Sequence, residues 1–271
     1  MRLHDEVAAR KLVTRSILSK GIYELWGSGS NYEELHENVR QRTSSHWAQY
    51  KSSSFKIDFD TFQGKRTMNE RREIIDSFRY LGFTGLIRMQ EPEEVFCIFE
   101  HSEWGVKRPH RIRFGRWVAD SQRDAAYDYS LKTRKYLSTT SMDSELALLS
   151  ANITLAAPGK LFYDPFVGTG SFPIACSHFG AISMGSDIDG RMLRGKDGLN
   201  IVTNFQQYGL TDRYLDGFVS DLTHCPLRTE RLLDGIICDP PYGVREGLKV
   251  LGTRDGSGKG AVYIDGEAAH L

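Results

Sequence analysis

The sequence predicts an α/β fold with a mostly parallel, Rossmann-like sheet in its rear half, preceded by an α+β region of short elements. Four short apolar runs predict the parallel sheet of the rear half. Each run ends in an aspartate, and segments of helix length separate the runs. Strands that alternate with such segments are typical of βαβ units and of a parallel sheet. The runs are "KLFYD", "AISMGSD", "LDGFVSD" and "LDGIICD", which end at Asp164, Asp187, Asp221 and Asp239.

These four aspartates share one position relative to their strands. In open parallel sheets, ligands bind in the crevice outside the carboxyl ends of the strands, and all four carboxylates are expected there. A single aspartate after a strand is ordinary turn chemistry. Four in succession indicate a binding site.

The front half alternates between helical and extended patterns. Ser30 with Glu33, and Thr67 with Glu70, each form a capping-box pattern that predicts the start of a helix. Gly82 predicts the end of the second helix. Extended segments are expected at "SFKIDF", "GLIRM" and "EVFCIF". This half therefore predicts an α+β domain.

A helix is also expected ahead of the first rear strand, in "SMDSELALLSANITLAA". Ser141 is its predicted cap, and the spacing of Leu146, Leu149 and Ile153 predicts the buried face.

Charge is divided unevenly along the 271 residues, although the net charge is zero. Residues 1–137 contain 24 Lys and Arg against 19 Asp and Glu, whereas residues 138–271 contain 11 against 16. A basic front half joined to an acidic rear half predicts separate roles. The basic half faces either an anionic polymer or plain solvent. No apolar run approaches the roughly 18 residues of a membrane span, so no membrane association is expected.

The cysteines and histidines form no recognisable ligand pattern. The four cysteines lack CxxC spacing, and the eight histidines form no HxxxH or HExxH pattern. We therefore expect no bound metal, and a reducing compartment, which predicts a cytoplasmic location.

A basic segment joins the two halves. "KRPHRIRFGR" contains five Lys and Arg and no acid, and "LKTRK" adds a second basic patch. The proline and glycine argue against a helix, so we predict three regions: 1–110, a basic linker over 111–137, and 138–271. Basic side chains interleaved with aromatic ones suit phosphate contact and base stacking, although a linker that is basic because it is solvated is an equal alternative. The RNA-binding candidates are Arg113, Arg116, Lys132, Arg134 and Lys135.

A glycine-rich turn, "DPFVGTGSF", follows the first rear strand. Gly168 and Gly170 allow a tight turn and close approach of the backbone to a ligand. Pro173 occupies the position of the third glycine in G-x-G-x-x-G, which argues against a dinucleotide pyrophosphate.

The acids at the next two strand ends are suited to binding the ribose and the base of a nucleoside. Asp187 is placed to accept hydrogen bonds from ribose hydroxyls, with Asp189 as a competitor. Asp221 is placed to accept the amino group of an adenine, and Leu222 to pack on the ring. A ribose, an adenine and a loop that holds no pyrophosphate indicate an adenosyl ligand other than NAD.

"DPFVGTGSF", "GSDID" and "CDPPYG", in that order, resemble the class I S-adenosylmethionine-dependent methyltransferases that act on exocyclic amino groups. "RSILSKGIYELWGSG", "FGRWVADSQR", "TTSMDSELALLSANI" and "IACSHFGA" narrow the resemblance to the THUMP-domain RNA methyltransferases, and among them to the eukaryotic group that methylates N2 of guanine 10 in tRNA. The resemblance runs from about residue 7 to residue 247. It implies the following roles: Asp164, Phe166, Gly168 and Gly170 in the cofactor loop, Asp187 at the ribose, Asp221 at the adenine, Ser141 in a loop that closes over the cofactor, and Asp239, Pro240, Pro241 and Tyr242 in catalysis.

The resemblance also implies partners and a mechanism. A ferredoxin-like and THUMP region would grip the acceptor end of tRNA, and a small zinc-binding activator subunit would add to the sheet edge. Asp239 would accept the N–H bonds of the guanine amino group, and Tyr242 would stack on a base turned out of its helix. Two alternatives stay open: a DNA adenine-N6 methyltransferase with the same motif, and a catalytically incompetent tRNA-binding fragment.

The fragment alternative arises from the strand count. The family fold has seven strands, of which four are identified here, and the segment from Leu248 is predicted to be loop. The first part of the ferredoxin-like unit is also expected to be missing. The sequence is therefore expected to be truncated at both ends.

Overall fold

The computed structural model describes residues 2–106, 108–228, 230–242, 249–251 and 261–263. The chain divides into two compact units, Met1–Ser121 and Gln122–Leu271. No helix within these described ranges is both long enough and apolar enough to cross a membrane.

The first unit is a four-stranded sheet with helices. Its strand order is β1-β4-β3-β2, in which β2 and β3 are parallel and the other neighbours are antiparallel. Its elements in chain order are α1 (Glu6–Val13), β1 (Gly21–Gly29), α2 (Tyr32–Thr43), a 3₁₀ turn (Ser44–His46), α3 (Trp47–Tyr50), β2 (Phe55–Phe62), α4 (Met68–Asp76), a second 3₁₀ turn (Arg79–Leu81), β3 (Glu94–His101) and β4 (Arg111–Asp120).

One face of this sheet carries the core of the unit. Trp26 of β1 is fully buried, and its ring packs edge-on against Phe96 at 4.9 Å and Phe114 at 6.0 Å between centroids. Leu35 and Val39 of α2 pack into the same cluster. Because side chains alternate between the faces of a strand, the other face of the sheet is left without these helices.

The structure confirms some of the predicted elements and moves others. Thr67 and Glu70 form the expected capping box of α4, and Gly82, with φ of +71°, ends the 3₁₀ turn that follows. The predicted cap of α2 is one residue too early: Asn31 caps the helix by accepting from the backbone N–H of Glu34, and the Glu34 carboxylate accepts from the backbone N–H of Ser30. "EVFCIF" lies in β3, whereas "GLIRM" contributes only one isolated bridge, between Ile87 and Phe55.

The predicted linker begins inside a strand. β4 lies between β1 and β3, so residues 111–120 belong to the sheet of the first unit. Arg116 is 9% exposed and pairs with Glu6 at 2.6 Å, Glu24 at 2.9 Å and Glu94 at 3.3 Å. The guanidinium of Arg116 is therefore bound by three carboxylates of its own unit, and the prediction of an RNA contact there stays untested.

The second unit has a parallel sheet of order β7-β6-β5-β8. All four predicted rear strands are present. The elements are α5 (Ala125–Asp128), α6 (Ser144–Ile153), β5 (Leu161–Asp164), α7 (Ser171–His178), β6 (Ile182–Asp187), α8 (Gly190–Arg194), α9 (Ile201–Gln207), a 3₁₀ turn (Thr211–Arg213), β7 (Tyr214–Val219), a 3₁₀ turn (Leu222–His224) and β8 (Gly235–Ile236).

The helix before β5, α6, has a different capping residue and a different buried face from those predicted. Asp143, rather than Ser141, caps α6 through bonds to the backbone N–H groups of Glu145 and Leu146. Ile153 is 80% exposed and Leu146 55%. Small residues allow close packing of α6 against its neighbours, and the buried set is Ser144, Ala147, Leu148 and Ala151.

The segment from Leu248, predicted as loop, contains two short strands, β9 (Lys249–Leu251) and β10 (Ala261–Tyr263), which pair antiparallel. The rest of that segment lies outside the described residues.

Arg116→Ala should lower the free energy of unfolding by about 3 kcal/mol, because three carboxylates lose a shared, buried counter-charge. Arg113→Ala, at an exposed position on the same strand, should change it by less than about 0.5 kcal/mol. Urea unfolding of both variants checks this. Equal stability of the two variants would contradict the assignment of Arg116 to the fold.

Candidate functional site

A cleft of about 680 Å³ lies at the carboxyl ends of the parallel strands in the second unit. The strand order reverses between β5 and β8, and such a switch point is where open α/β sheets bind ligands. The volume lies within the range of small-molecule sites. All four strand-end aspartates line the cleft, as the sequence predicted, together with Asp189.

The glycine turn between β5 and α7 forms one wall. Gly168 has φ of +49° and Gly170 has φ of +86°, a region that suits glycine. A Cβ on Gly170 would lie 2.9 Å from Cγ2 of Ile201. The backbone N–H of Gly168 donates to Oδ2 of Asp187 at 3.0 Å. The positive φ angles therefore favour glycine at both positions. At Gly170 the close approach of Ile201 also leaves no room for a Cβ.

Asp164 lies at the base of the cleft and is 2% exposed. Its Oδ1 accepts from the backbone N–H of Phe166 at 2.9 Å. Burial raises the pKa of the Asp164 carboxyl to about 8, against the lowering effect of the Phe166 bond, and the charges of Asp187 and Asp239 raise it further. A pKa of about 8 keeps this carboxyl protonated at neutral pH.

Asp187 and Asp189 have different local roles. Asp187 ends β6 and accepts from the backbone of Gly168 and of Asp189. Asp189 caps α8 and forms an ion pair with Arg191 at 2.6 Å. The ion pair commits Asp189 to the helix start, and this favours Asp187 for a ligand hydroxyl.

Asp221 follows β7 and is 4% exposed. Its Oδ1 accepts from the backbone N–H of His224 at 2.7 Å and from the hydroxyl of Thr223 at 2.6 Å, so it caps the 3₁₀ turn. Leu222 lies beside it in the cleft wall with 55% of its surface exposed. Asp221 and Leu222 therefore place a carboxylate and an exposed apolar side chain next to each other in the cleft wall.

The segment after β8 carries the predicted catalytic residues. The ladder to β5 continues through the backbone N–H of Ile237, which donates to the carbonyl of Tyr163 at 3.0 Å. Pro240 and Pro241 line the cleft beside Asp239. The hydroxyl of Tyr242 donates to Oδ1 of Asp239. This hydrogen bond and the negative charge of Asp239 raise the pKa of Tyr242, whose ring is 78% exposed at the mouth.

The loop before α6 closes one side of the cleft. The hydroxyls of Ser141 and Thr169 lie 2.7 Å apart, and Ser141 also accepts from the backbone of Ser138. Residues 138–142 all line the cleft. Ser141 therefore lines the cleft but caps no helix.

Asn204 was missed by the sequence reasoning. It is fully buried in α9, where its amide donates to the carbonyls of Tyr136 and Thr169 and accepts from the backbone of Tyr136. It thus ties the segment before the Ser141 loop to the cofactor loop. The only hint in the sequence is a polar residue within an otherwise apolar helix face.

Three of the basic residues predicted to contact RNA lie in this unit, and they differ in solvent exposure. Arg134 is 5% exposed and donates to Ser171 at 2.6 Å and to the carbonyl of Tyr129 at 3.0 Å. Its guanidinium therefore holds the start of α7, and the prediction of an RNA contact there stays untested. Lys132 and Lys135 are exposed, and for them the prediction stands untested.

The charges of the side chains that line the cleft indicate which ligands it can bind. Five of its described lining residues are aspartates, and none is lysine, arginine or histidine. A pyrophosphate would find no basic side chain, whereas a cation would find several carboxylates. Met142, Phe166 and Leu222 add apolar surface. The residues fit an adenosyl ligand that carries positive charge.

The strand order, the glycine turn and the ring of strand-end acids define the second unit as a class I methyltransferase domain. The family model for the RMKL-like methyltransferase domain matches residues 132–251. That for the Tmrp11 THUMP N-terminal domain matches residues 1–123.

Curated relatives indicate which group of methyltransferases the chain is similar to. The chain is 48% identical to the tRNA (guanine(10)-N(2))-methyltransferase of Schizosaccharomyces pombe over 89% of this chain and 51% of the relative. It is 45% identical to that of Saccharomyces cerevisiae over 100% of this chain and 65% of the relative. The chain therefore belongs to the THUMP-domain methyltransferase family of these proteins, and it spans about half to two thirds of their length.

Among solved structures, a "predicted N6-adenine-specific DNA methylase" of Listeria monocytogenes aligns at 15% identity and a TM-score of 0.46, over 89% of this chain and 71% of that chain.

Asp164→Asn should flatten the pH dependence of stability. The folded pKa of about 8 lies above the unfolded value of about 3.9. The native state therefore holds a proton that the unfolded chain releases, and this stabilisation is full below about pH 4 and is lost as pH rises through about 8. Denaturant unfolding across that window should show a steeper loss of stability for wild type than for the variant. Parallel profiles would contradict the protonated carboxyl.

Proposed function

We propose that the chain contains the THUMP and catalytic regions of a tRNA methyltransferase that transfers a methyl group from S-adenosylmethionine to N2 of guanine 10. One observation supports this above the others: Asp239 and Tyr242 line the same cleft as Asp187 and Asp221. The acid that we propose to face the base and the acids that we propose to bind the adenosyl group therefore share one cavity. The curated relatives carry the same activity in their names.

The cofactor would lie along the strand ends. Asp187 would accept the ribose hydroxyls, Asp221 the adenine amino group, and Leu222 would pack on the adenine ring. Asp164, next to the glycine turn, would face the cationic end and lose its proton as positive charge enters. When bound, the cofactor supplies a sulfonium methyl group that is already activated for transfer.

Asp239 would act on the nucleophile. The lone pair of guanine N2 is conjugated into the ring, so the amino group is a poor nucleophile. A carboxylate that accepts its N–H bond localises the lone pair and then takes the proton that N2 sheds as the N–C bond forms. The phenol of Tyr242 occupies this oxygen in the structure, so the incoming amino group would replace it and free the ring to stack on the base.

The two prolines would hold these groups still. Proline has no backbone N–H and a fixed φ, so Pro240 and Pro241 cannot donate to Asp239 or rotate freely beside it. Rigid positioning is valuable here because alignment of N2 with the methyl group supplies much of the rate.

Asp239→Ala, introduced into the full-length protein with its activator, should lower methyl transfer to tRNA by at least about a hundredfold. Cofactor affinity should stay within about threefold, because the adenosyl contacts remain. Transfer from labelled S-adenosylmethionine to tRNA and calorimetric cofactor binding are the two measurements. Asp212→Asn, an exposed acid outside the cleft, is the matched control.

Duplex DNA as a second substrate and a tRNA-binding assay at several salt concentrations extend this experiment to the alternatives. Preferential labelling of duplex DNA would indicate a DNA adenine-N6 methyltransferase. Salt-sensitive tRNA binding without cofactor affinity would indicate a non-catalytic RNA-binding protein. Full labelling by Asp239→Ala would remove Asp239 from the mechanism.

The activator is also a proposal. β7 is an edge of the described parallel sheet, and Leu215 and Val219 on it are 61% and 46% exposed. An unpaired edge with apolar side chains is a template for strand addition. We place the small zinc-binding activator subunit there, and the cytoplasm as the site of action.

Leu215→Lys should reduce copurification of the activator severalfold, because a charge would be buried at the added strand. Leu146→Lys, at a similarly exposed leucine on α6, should not. Equal recovery of the activator with both variants would exclude β7 as its docking edge.

A further inference from the structure

An asparagine lies fully buried in α9 of the second unit. Asn204 is 0% exposed, and its neighbours Ile201 and Phe205 belong to a buried apolar cluster. An amide in apolar surroundings costs free energy unless its polar groups are bonded. The amide of Asn204 donates to the carbonyls of Tyr136 at 2.9 Å and Thr169 at 3.1 Å, and it accepts from the backbone N–H of Tyr136 at 2.8 Å. Its bonds therefore join two segments that are distant in the sequence.

The two segments that Asn204 joins both lead into the wall of the cleft. Tyr136 lies just before residues 138–142, here called the Ser141 loop, and every residue of that loop lines the cleft. Thr169 stands in the glycine turn and lines the cleft as well. Asn204 itself is not among the described lining residues. Its amide therefore lies behind the wall and connects two parts of it.

A further contact closes these bonds into a ring. The hydroxyl of Thr169 lies 2.7 Å from that of Ser141, and Ser141 accepts from the backbone N–H of Ser138 at 3.0 Å. The segment from Tyr136 to Ser141 is thus bonded to Asn204 at its beginning and to Thr169 at its end. Because Asn204 also binds the carbonyl of Thr169, the Ser141 loop and the glycine turn share one buried anchor.

An ordered Ser141 loop has a thermodynamic consequence for any ligand of the cleft. A loop that is mobile in the free protein must be ordered when a ligand binds against it, and the lost entropy weakens the affinity. A loop that is already bonded at both ends loses less entropy. Only a side chain with both donors and an acceptor can form the three bonds of Asn204, so an aspartate of the same size cannot replace it.

We propose that Asn204 is a positioning residue for the cofactor: it holds the Ser141 loop against the glycine turn and so strengthens the binding of S-adenosylmethionine without lining the cleft. The identity of this ligand rests on the proposed function, whereas the dependence of its affinity on Asn204 is new. Once the cofactor is bound, the transfer step should be unaffected. Asp239 and Tyr242 belong to the segment after β8, which none of these hydrogen bonds reaches.

Calorimetric titration of S-adenosylhomocysteine into the full-length protein with its activator tests the proposal. Asn204→Asp keeps the size of the side chain but replaces its donors by an oxygen that faces two carbonyls. The dissociation constant should rise roughly tenfold, because two buried hydrogen bonds are lost. In methyl transfer to tRNA, KM for S-adenosylmethionine should rise by a similar factor, while kcat changes by less than about threefold.

Gln207→Glu is the matched control, because it makes the same change from amide to acid on the same helix. Gln207 accepts from the backbone N–H of Lys135 at 2.9 Å and donates to the carbonyl of Thr133 at 2.8 Å. These bonds do not reach the glycine turn. The dissociation constant of this variant should therefore stay within about twofold of wild type.

A double-mutant cycle separates positioning from a general loss of stability. Ser141→Ala removes the bond between the Ser141 loop and Thr169. Because Asn204→Asp already releases the loop, Ser141→Ala should weaken binding less in that background than in wild type. Thr169→Val provides a second variant, which deletes the Thr169 hydroxyl and leaves Asn204 intact. It should weaken binding severalfold, whereas Thr169→Ser, which keeps a hydroxyl, should retain the affinity.

The proposal is overturned if folded Asn204→Asp binds S-adenosylhomocysteine as tightly as wild type, or if its effect adds fully to that of Ser141→Ala. Should Asn204→Asp not fold, wild-type affinity of Thr169→Val overturns it. Failure of the proposed function would look different. Wild type would then transfer no methyl group to tRNA, although binding of S-adenosylhomocysteine still depended on Asn204. A wild type without affinity for S-adenosylhomocysteine would contradict both.

Discussion

Parallel strands point their carboxyl ends in one direction, and this polarity determines where the chemistry of the second unit lies. Residues 164, 187, 221 and 239 are far apart in sequence, yet the βαβ connections return each strand to the same edge. The reversal of strand order between β5 and β8 opens the gap that the ligand needs. Without that topology the same acids would be four unrelated turn residues.

The negative charge of the cleft follows from the placement of these four acids at one edge of the sheet. A cleft with several carboxylates and no basic lining side chain in its described part favours a cation. Burial, with a smaller contribution from the charges of Asp187 and Asp239, raises the pKa of Asp164 to about 8. The basic side chains of the chain are used elsewhere. Arg116 and Arg134 are buried and bind other residues of their own units, while Arg111 and Arg113 are exposed.

Sequence reasoning succeeded where the signal was local. Each rear strand is short, apolar and ends in an acid, so all four were found, and their polarity placed the acids together in the cleft. It failed where partners are distant. Arg116 lies 110 positions from Glu6 and 92 from Glu24 in the chain, so counting charges made it look available. Asn204 was missed for the same reason, because its role depends on Tyr136 and Thr169 in other segments. The buried face of α6 was predicted wrongly because Ser144, Ala147, Leu148 and Ala151 are buried, whereas Leu146 and Ile153 are exposed.

The most direct test of the account is a crystal structure of the protein with S-adenosylhomocysteine bound. The account predicts ribose hydroxyls within hydrogen-bonding distance of Asp187, the adenine amino group at Asp221 with Leu222 against the ring, and the thioether end directed toward Asp239. A ligand bound with its ribose at Asp189, or outside the cleft formed by the four strand ends, would contradict it.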